Sequence, residues 1–553
     1  MHQERKSSRS QRGWLRRGRV YQLSSPLFAL FVAFLMNAQL ASATYDNLIG
    51  YPELQALLGA GIPTGSGISV HHVEAPVGSG SQAGNYAADP NTADFSGKSF
   101  SNVTQVSGVT QGTLGPSNHA RGVGLNFYGN SISIAPEIST IQSYETNHWL
   151  GFSVSGSSAT PHASGFLNTL RGGATLPKTT SARIANHSWI GEFSTSSVNS
   201  EVLRRFDFVI EQDDFLNFVG IQNGTAADRA LLKSAFNEIA VGMTNGNHVE
   251  STLGVDSTYT AGRVAPNVVA PGLNVSNSST TTSLATPMAS AVGALLLETA
   301  QDSGLSNGSI TNRTRTINHA ETSEVIKAVL MAGADRAVDN AVGDDLTDYV
   351  IDTGNNLDLD YGAGQVNVFH SYNIIAAGEH DSDQDLGSGL DIGSLGWDYD
   401  ANFGGENSTN SRGSYFFTAD NSDDVLHATL AWNIDVSGFS ASAASATLHD
   451  LNLLLIDVTN DLVLTDLGAS SLSTDQNTEN IFYDGLVAGN RYEIRVEAAS
   501  GQLDFDWDYG LAWRIDPWTA NQVPEPTSAT ISLLGALSVF ALGRQRCRRL
   551  VQG

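Results

Sequence analysis

Thr281-Thr282-Ser283-Leu284-Ala285-Thr286-Pro287-Met288-Ala289-Ser290-Ala291-Val292-Gly293 decides how the rest of the chain is read. A threonine-rich loop runs straight into an apolar helix. This predicts Ser283 at a helix N-terminus and Pro287 in the first turn, where a missing N–H breaks no intrahelical bond. The dipole of such a helix favours negative charge forming beside the serine, as a nucleophile requires. Serine and threonine are also ordinary helix caps, so the stretch needs companions elsewhere before it implies chemistry.

The first companion lies just upstream, Arg263-Val264-Ala265-Pro266-Asn267-Val268-Val269-Ala270-Pro271-Gly272. In this order the two blocks resemble the Lys-Pro-Asp-Val-Val-Ala-Pro-Gly segment and the Gly-Thr-Ser-Met-Ala-Ser/Thr-Pro-His-Val-Ala-Gly signature of the subtilases, with Ser283 on the nucleophile. Further blocks match in family order. Ile68-Ser69-Val70-His71-His72-Val73-Glu74 follows a Gly-Ser-Gly turn and resembles the first strand of the fold, with Glu74 where the triad aspartate stands. Ser117-Asn118-His119-Ala120-Arg121-Gly122 places His119 on the catalytic histidine, although Arg121 and Gly122 replace the usual Thr and His. Ala185-Asn186-His187-Ser188-Trp189-Ile190-Gly191 resembles the strand whose edge pairs with extended peptide, so Ser188, Trp189, Ile190 and Gly191 are the expected substrate-binding residues. His187 reads as a pocket or a structural residue. Phe218-Val219-Gly220-Ile221-Gln222-Asn223-Gly224 puts Asn223 on the oxyanion-hole asparagine, and Tyr361-Gly362-Ala363-Gly364-Gln365-Val366-Asn367 resembles the segment that closes the domain.

What the resemblance implies is a Glu-His-Ser triad. His119 would take the Ser283 proton and later return it to the leaving amine, Glu74 would hold the imidazole, and Asn223 with the Ser283 N–H would bind the oxyanion. Glutamate is one methylene longer than aspartate, so its strand must sit back or its side chain must fold. A sedolisin-like Ser-Glu-Asp set fits less well, because it lacks the histidine and places Asp where Asn223 stands.

The ends carry their own signals. Of 29 Lys and Arg, seven precede residue 44 and four follow residue 543, leaving 18 basic against 55 acidic residues between. Such a body excludes nucleic acid and anionic membrane as partners. The early basic residues precede an apolar run, Leu27 to Met36, and Ala41-Ser42-Ala43, the pattern of a signal peptide over 1–43. Val523-Pro524-Glu525-Pro526, the apolar run Ala529 to Leu542 and Arg544, Arg546, Arg548 and Arg549 resemble a PEP-CTERM sorting tail over 519–553. That resemblance implies transient membrane anchoring and an exosortase as partner, then release to the cell surface or matrix. The single cysteine, Cys547, allows no intramolecular disulfide.

Between these ends, alternating helical and strand-like patterns over 61–378 predict an α/β domain, a subtilisin-like mostly parallel sheet flanked by helices. Residues 44–60 form a short N-terminal segment, too short for the prodomain of many secreted subtilases. Residues 379–410 read as an acidic Gly-rich linker, in which Asp381-Ser382-Asp383-Gln384-Asp385 lacks the glycine and glutamate of an EF-hand. Short alternating strands over 411–518, among them Val425–Trp432, Leu451–Leu455, Tyr492–Val496 and Tyr509–Trp513, predict an antiparallel β-sandwich similar to the jelly-roll domain appended to many subtilases. The chemistry needs no cofactor, and surplus carboxylates allow a structural calcium. Expected, then, is an exported serine endopeptidase acting on protein or peptide. The competing reading is an inactive subtilase fold retained as a surface or matrix binding protein.

Overall fold

The computed structural model describes residues 45–517 apart from 104–115, 156–157, 163–164, 172–174, 225, 274–279, 341–344, 385–386, 388, 406–407, 441–442 and 503–504. The expected signal peptide, the sorting tail and Cys547 lie outside the described residues.

Apolar runs bounded by turns become the strands of one sheet: β1 (Ser69–Glu74), β2 (Ser99–Val103), β3 (Thr140–Glu145), β4 (Ile184–His187), β5 (Leu216–Gly220), β6 (Ile239–Met243) and β7 (Val268–Ala270). Their order is β2-β3-β1-β4-β5-β6-β7, and every neighbouring pair is parallel. Strands β4 to β7 are buried throughout, as expected where helices cover both faces of a parallel sheet. The chain leaves β1 toward β2 and β3 and returns on the other side at β4. At such a reversal the connections diverge and leave a crevice beyond the carboxyl ends of the strands.

Helices α1 (Tyr51–Leu58), α2 (Asn118–Tyr128), α3 (Ser196–Asp213), α4 (Thr282–Ala300), α5 (Ser323–Ala332) and α6 (Val368–Ala376) accompany this sheet. Helix α4 is long and apolar enough to cross a membrane by composition, yet 83% of that window is buried in the core. It lies against β5 because two glycines let it. A Cβ on Gly220 would meet Thr286 Oγ1 at 2.7 Å, and one on Gly293 would meet the Phe218 ring at 2.6 Å. The segment before residue 61 is part of the same core. Tyr45 is fully buried and donates its hydroxyl to the Asn126 carbonyl (2.9 Å), while Gln365 Nε2 donates to Leu48 O (2.6 Å).

Strands then change character. β8 (Leu395–Gly404), β9 (Arg412–Thr418), β10 (Asp424–Ala431), β11 (Leu451–Asp457), β12 (Leu462–Val463), β13 (Thr478–Tyr483), β14 (Arg491–Ala498) and β15 (Asp506–Pro517) form two antiparallel four-stranded sheets, β8-β15-β10-β13 and β9-β14-β11-β12. Buried Tyr415, Leu430, Trp432, Leu453, Ile494 and Trp513 belong to one cluster there. β8 corrects the expected linker over 379–410. Its Gly396-Trp397-Asp398-Tyr399-Asp400 looks acidic and loop-like, but the buried acids have partners: Tyr415 donates to Asp398 (2.6 Å) and Asn410 to Asp400 (3.0 Å).

Helix α5 is a second departure. Its pattern predicts an amphipathic helix with a polar cap, whereas all ten residues are buried. The sheet β8-β15-β10-β13 covers it. Asn433 Nδ2 donates to Ser323 Oγ (2.9 Å), Arg514 Nε to the Ala332 carbonyl (2.9 Å), and a Cβ on Gly510 would lie 2.6 Å from the α5 backbone at Glu324. Lys327 is buried with its ammonium on the Phe236 carbonyl (2.8 Å).

Candidate active site

Parallel strands deliver the expected residues to one end of the sheet. Glu74 ends β1, Ser188 follows β4, and Asn223 follows β5. Helix α2 is capped by Ser117, whose hydroxyl accepts from the Ala120 N–H (3.2 Å), and so presents His119 in its first turn. Helix α4 begins at Thr282, with Thr281 as its extended N-cap residue, so Ser283 sits in the first turn as the sequence predicts. Helices α2 and α4 pack together, and a Cβ on Gly122 would lie 3.7 Å from Leu284 Cδ2.

Pro287 stands one turn later than the sequence suggests, inside the helix. It therefore cannot donate to the carbonyl four residues back, which is that of Ser283. Ser188 fills the gap: its hydroxyl donates to Ser283 O (3.0 Å) and accepts from Asn186 Nδ2 (2.9 Å). Thus the β4 segment fixes the main chain at the candidate nucleophile.

The acid and the imidazole are paired. His119 Nδ1 lies 2.9 Å from Glu74 Oε2, with the carboxylate 2% exposed and the imidazole 47% exposed. The longer acid thus spans the distance that the sequence left open. Burial pushes the Glu74 carboxyl up, but the charge of His119 and hydrogen bonds from His119 and His72 outweigh it, leaving the group below the usual glutamate range. In return the Glu74 carboxylate raises His119 above the ordinary histidine value, against the opposing effect of burial.

Asn223 is oriented by the helix it faces. Its Oδ1 accepts from the Thr282 N–H (2.8 Å), with the Thr282 hydroxyl 3.1 Å away. An amide held by its oxygen must turn its Nδ2 elsewhere. Among the described residues, neither that Nδ2 nor the Ser283 N–H has a hydrogen-bond partner. Ser188, Trp189, Ile190, Gly220, Ile221, Gln222, Asn223, Thr282 and Ser283 line one cleft of about 100 Å³. Two unengaged donors beside a serine at a helix N-terminus could bind an oxyanion.

Not every expected residue joins the cleft. Glu74, His119 and Gly191 are not in its lining, and the Gly191 carbonyl accepts from the Leu231 N–H (3.0 Å), so this end of the docking edge is occupied by the chain itself. His187 is structural: its ring is fully buried, with Nε2 at Asn217 Oδ1 (2.9 Å) and Nδ1 accepting from Trp189 Nε1 (3.2 Å). No hydrogen bond joins His119 to Ser283. Sequence reading also overlooked His72, whose Nε2 lies 3.0 Å from Glu74 Oε1. Its signal was available, because residues two apart on a strand share a face.

For a cation, one group of acid oxygens lies close enough among the described residues: Glu379, Asp381 and Asp398, within 4.8 Å of one another. Glu379 already meets His319 Nδ1 (2.6 Å), and Asp381 accepts from Asn307 (3.0 Å). These acids have protein partners, and they stand apart from the cleft.

No family model and no curated protein matches the sequence. Solved structures similar in shape include the MycP3 protease from the type VII secretion system, at 15% identity and TM-score 0.32, covering 60% of this chain and 89% of that one. A cold adapted subtilisin-like serine proteinase matches at 15% identity and TM-score 0.29, covering 55% of this chain and 88% of that one. The psychrophilic subtilisin-like protease Apa1 from an Antarctic Pseudoalteromonas matches at 11% identity and TM-score 0.32, covering 58% and 97%. At such scores these likenesses carry neither a mechanism nor a substrate to this chain.

Proposed function

We propose that the protein is a subtilisin-like serine endopeptidase that hydrolyses peptide bonds through an acyl-enzyme. One observation carries this reading: a buried carboxylate bonded to a half-exposed imidazole, on a helix packed against the one that holds Ser283 in its first turn. In the reaction Ser283 Oγ attacks the peptide carbonyl while His119 takes its proton, and Glu74 stabilises the imidazolium. Asn223 Nδ2 and the Ser283 N–H receive the negative oxygen. His119 then protonates the leaving amine, and water, deprotonated by the same imidazole, releases the acid. Ser188 to Ile190 supply the peptide-binding wall. This chemistry needs no cofactor.

A second reading has its own support. The missing bond between His119 and Ser283 suits an inactive fold kept for binding, although such bonds are often long before substrate arrives. For cell placement, the basic leader and the Val523-Pro524-Glu525-Pro526 tail support export, transient anchoring and processing by an exosortase.

Fluorophosphonate labelling of the full chain separates the two readings. The peptidase reading expects a label on wild-type protein, none on Ser283→Ala, and casein hydrolysis lost in parallel. Folded wild-type protein that takes no label, or labels no better than Ser283→Ala, leaves the binding reading in place.

A further inference from the structure

The candidate triad does not end at its acid. Glu74 Oε1, the oxygen that His119 does not use, lies 3.0 Å from His72 Nε2, and His72 Nδ1 lies 2.9 Å from Tyr128 Oη. A line of three contacts therefore runs from Tyr128 through His72 and Glu74 to His119. Its interior is closed to water, with Tyr128, His72 and Glu74 at 0, 1 and 2% exposure. We propose that His72 and Tyr128 are positioning residues, which hold the Glu74 carboxylate so that its other oxygen meets His119.

Proton bookkeeping gives the line a direction. A carboxylate only accepts, so His72 Nε2 must carry a hydrogen. In the neutral ring Nδ1 is then an acceptor, and the Tyr128 hydroxyl is its donor. The order Tyr128 to His72 to Glu74 leaves each group satisfied without a second cation. Strand neighbours opposite His72 are Ser143 on β3 and Asn186 on β4, both uncharged.

Placement supports the same division of labour. His72 and Glu74 are two residues apart on β1, hence on one face. Helix α2 supplies both ends of the line, His119 in its first turn and Tyr128 as its last residue. Room for the phenol comes from Gly124, since a Cβ there would stand 2.5 Å from Tyr128 Oη. The Tyr128 ring is wedged against Phe95, Phe100 and Phe127, and it meets the His72 ring edge-on at 5.8 Å.

Glutamate explains the need. Its extra torsion lets a lone carboxylate swing away from His119, and a second anchor removes that freedom. Removing the outer partner of a metal-bound histidine or carboxylate commonly costs about 10- to 100-fold, and a loss of the same order is expected where the anchor of Glu74 is removed. The catalytic consequence depends on the peptidase reading, whereas the positioning of His119 does not.

The test uses the full chain with Tyr128→Phe, His72→Leu and His72→Gln. One readout is the rate of fluorophosphonate labelling, and the other is the His119 imidazole titration followed by NMR. Tyr128→Phe should slow labelling about tenfold and His72→Leu up to about 100-fold. His72→Gln, which keeps an N–H near the position of Nε2, should recover most of the loss. His119 should titrate at lower pH in Tyr128→Phe and His72→Leu, because the carboxylate no longer faces it. An unchanged or raised His119 titration in folded Tyr128→Phe overturns the proposal, even if His72→Leu fails to fold. A wild type that takes no label defeats the peptidase reading alone, since the titration still decides the positioning.

Discussion

The two ends of the candidate site are built differently. At the acid end the carboxylate is held on both sides: Glu74 meets two imidazoles, and His72 reaches Tyr128 behind them. At the serine end the main chain is fixed, by Ser188 on the Ser283 carbonyl and Asn223 on the Thr282 N–H, but the hydroxyl and two donors stand open. One end is settled before any ligand arrives, and the other presents unfilled valences to whatever enters. This division suits catalysis by preorganisation, where fixed groups await charge that develops only during reaction.

Breaking the settled end should have the largest effect. Glu74→Gln keeps the shape but removes the charge, and replacing a triad acid by its amide costs about 10⁴-fold in kcat. The pH profile gives a second readout. Because Glu74 raises His119, the wild-type rate should rise with pH through a midpoint above about 6.5, as the imidazole becomes neutral. In Glu74→Gln that midpoint should fall, because the charge that raises the imidazole is gone. A midpoint that does not move would show the pair to be structural. Linkage gives the signs for stability. The His119 contribution is complete below about pH 6.5 and is lost as pH rises through its raised value. The Glu74 contribution is present above the ordinary glutamate value and is lost as pH falls through its lowered one.

At the open end the expected loss is smaller. Asn223→Ala removes one oxyanion donor and should cost about 100- to 1,000-fold in kcat with little change in KM. It also frees the Thr282 N–H, so a circular-dichroism melt should accompany the assay. A loss confined to KM would move Asn223 from the oxyanion to the ground state.

The smallest effect belongs to the seam between the parallel and antiparallel sheets. Asp214, Asp508 and Glu324 face one another there. Burial pushes Asp214 up to about 7, with the Asp508 charge adding to it, and Asp508 up to about 6, with Asp506 adding; burial and the charges of Asp508 and Asp214 push Glu324 well above the usual glutamate range. Raised acids bind more protons folded than unfolded, so their stabilisation is complete below about pH 4 and is lost as pH rises through 6 to 7. Asp508→Asn, which can still accept from Tyr399, should stabilise the protein at pH 8 by about 1 kcal/mol and change little at pH 4. Thermal melts at the two pH values check it, and equal shifts at both would exclude a charge effect.

Legibility in the sequence followed the same contrast. Patterned apolar runs announced the parallel sheet and most antiparallel strands, because burial on one or both faces leaves a period to read. Ser283 was legible because a helix start carries its own punctuation, whereas His119 rested on its place in the order of the motif blocks. β8 was hidden, since its aromatic residues alternate with acids that only tertiary partners make tolerable. The full burial of α5 was not legible, because the sheet that covers it begins more than 60 residues later. Tyr128 could not be foreseen: its link to His72 joins a helix end to a strand, and nothing local records it. Pro287 was misplaced by one turn, because the hydroxyl that satisfies the freed carbonyl comes from Ser188, just after β4.

β15 lies between β8 and β10 and packs on α5, yet it is the last described strand of the chain. A polypeptide still being synthesised therefore lacks the cover over α5 at Glu324 and Ala332 until β15 is added. Cutting the protein at the junction of its two sheet systems would not yield a smaller working unit. Synthesis of β15 is itself the event that closes this interface, a control on timing that comes from connectivity alone.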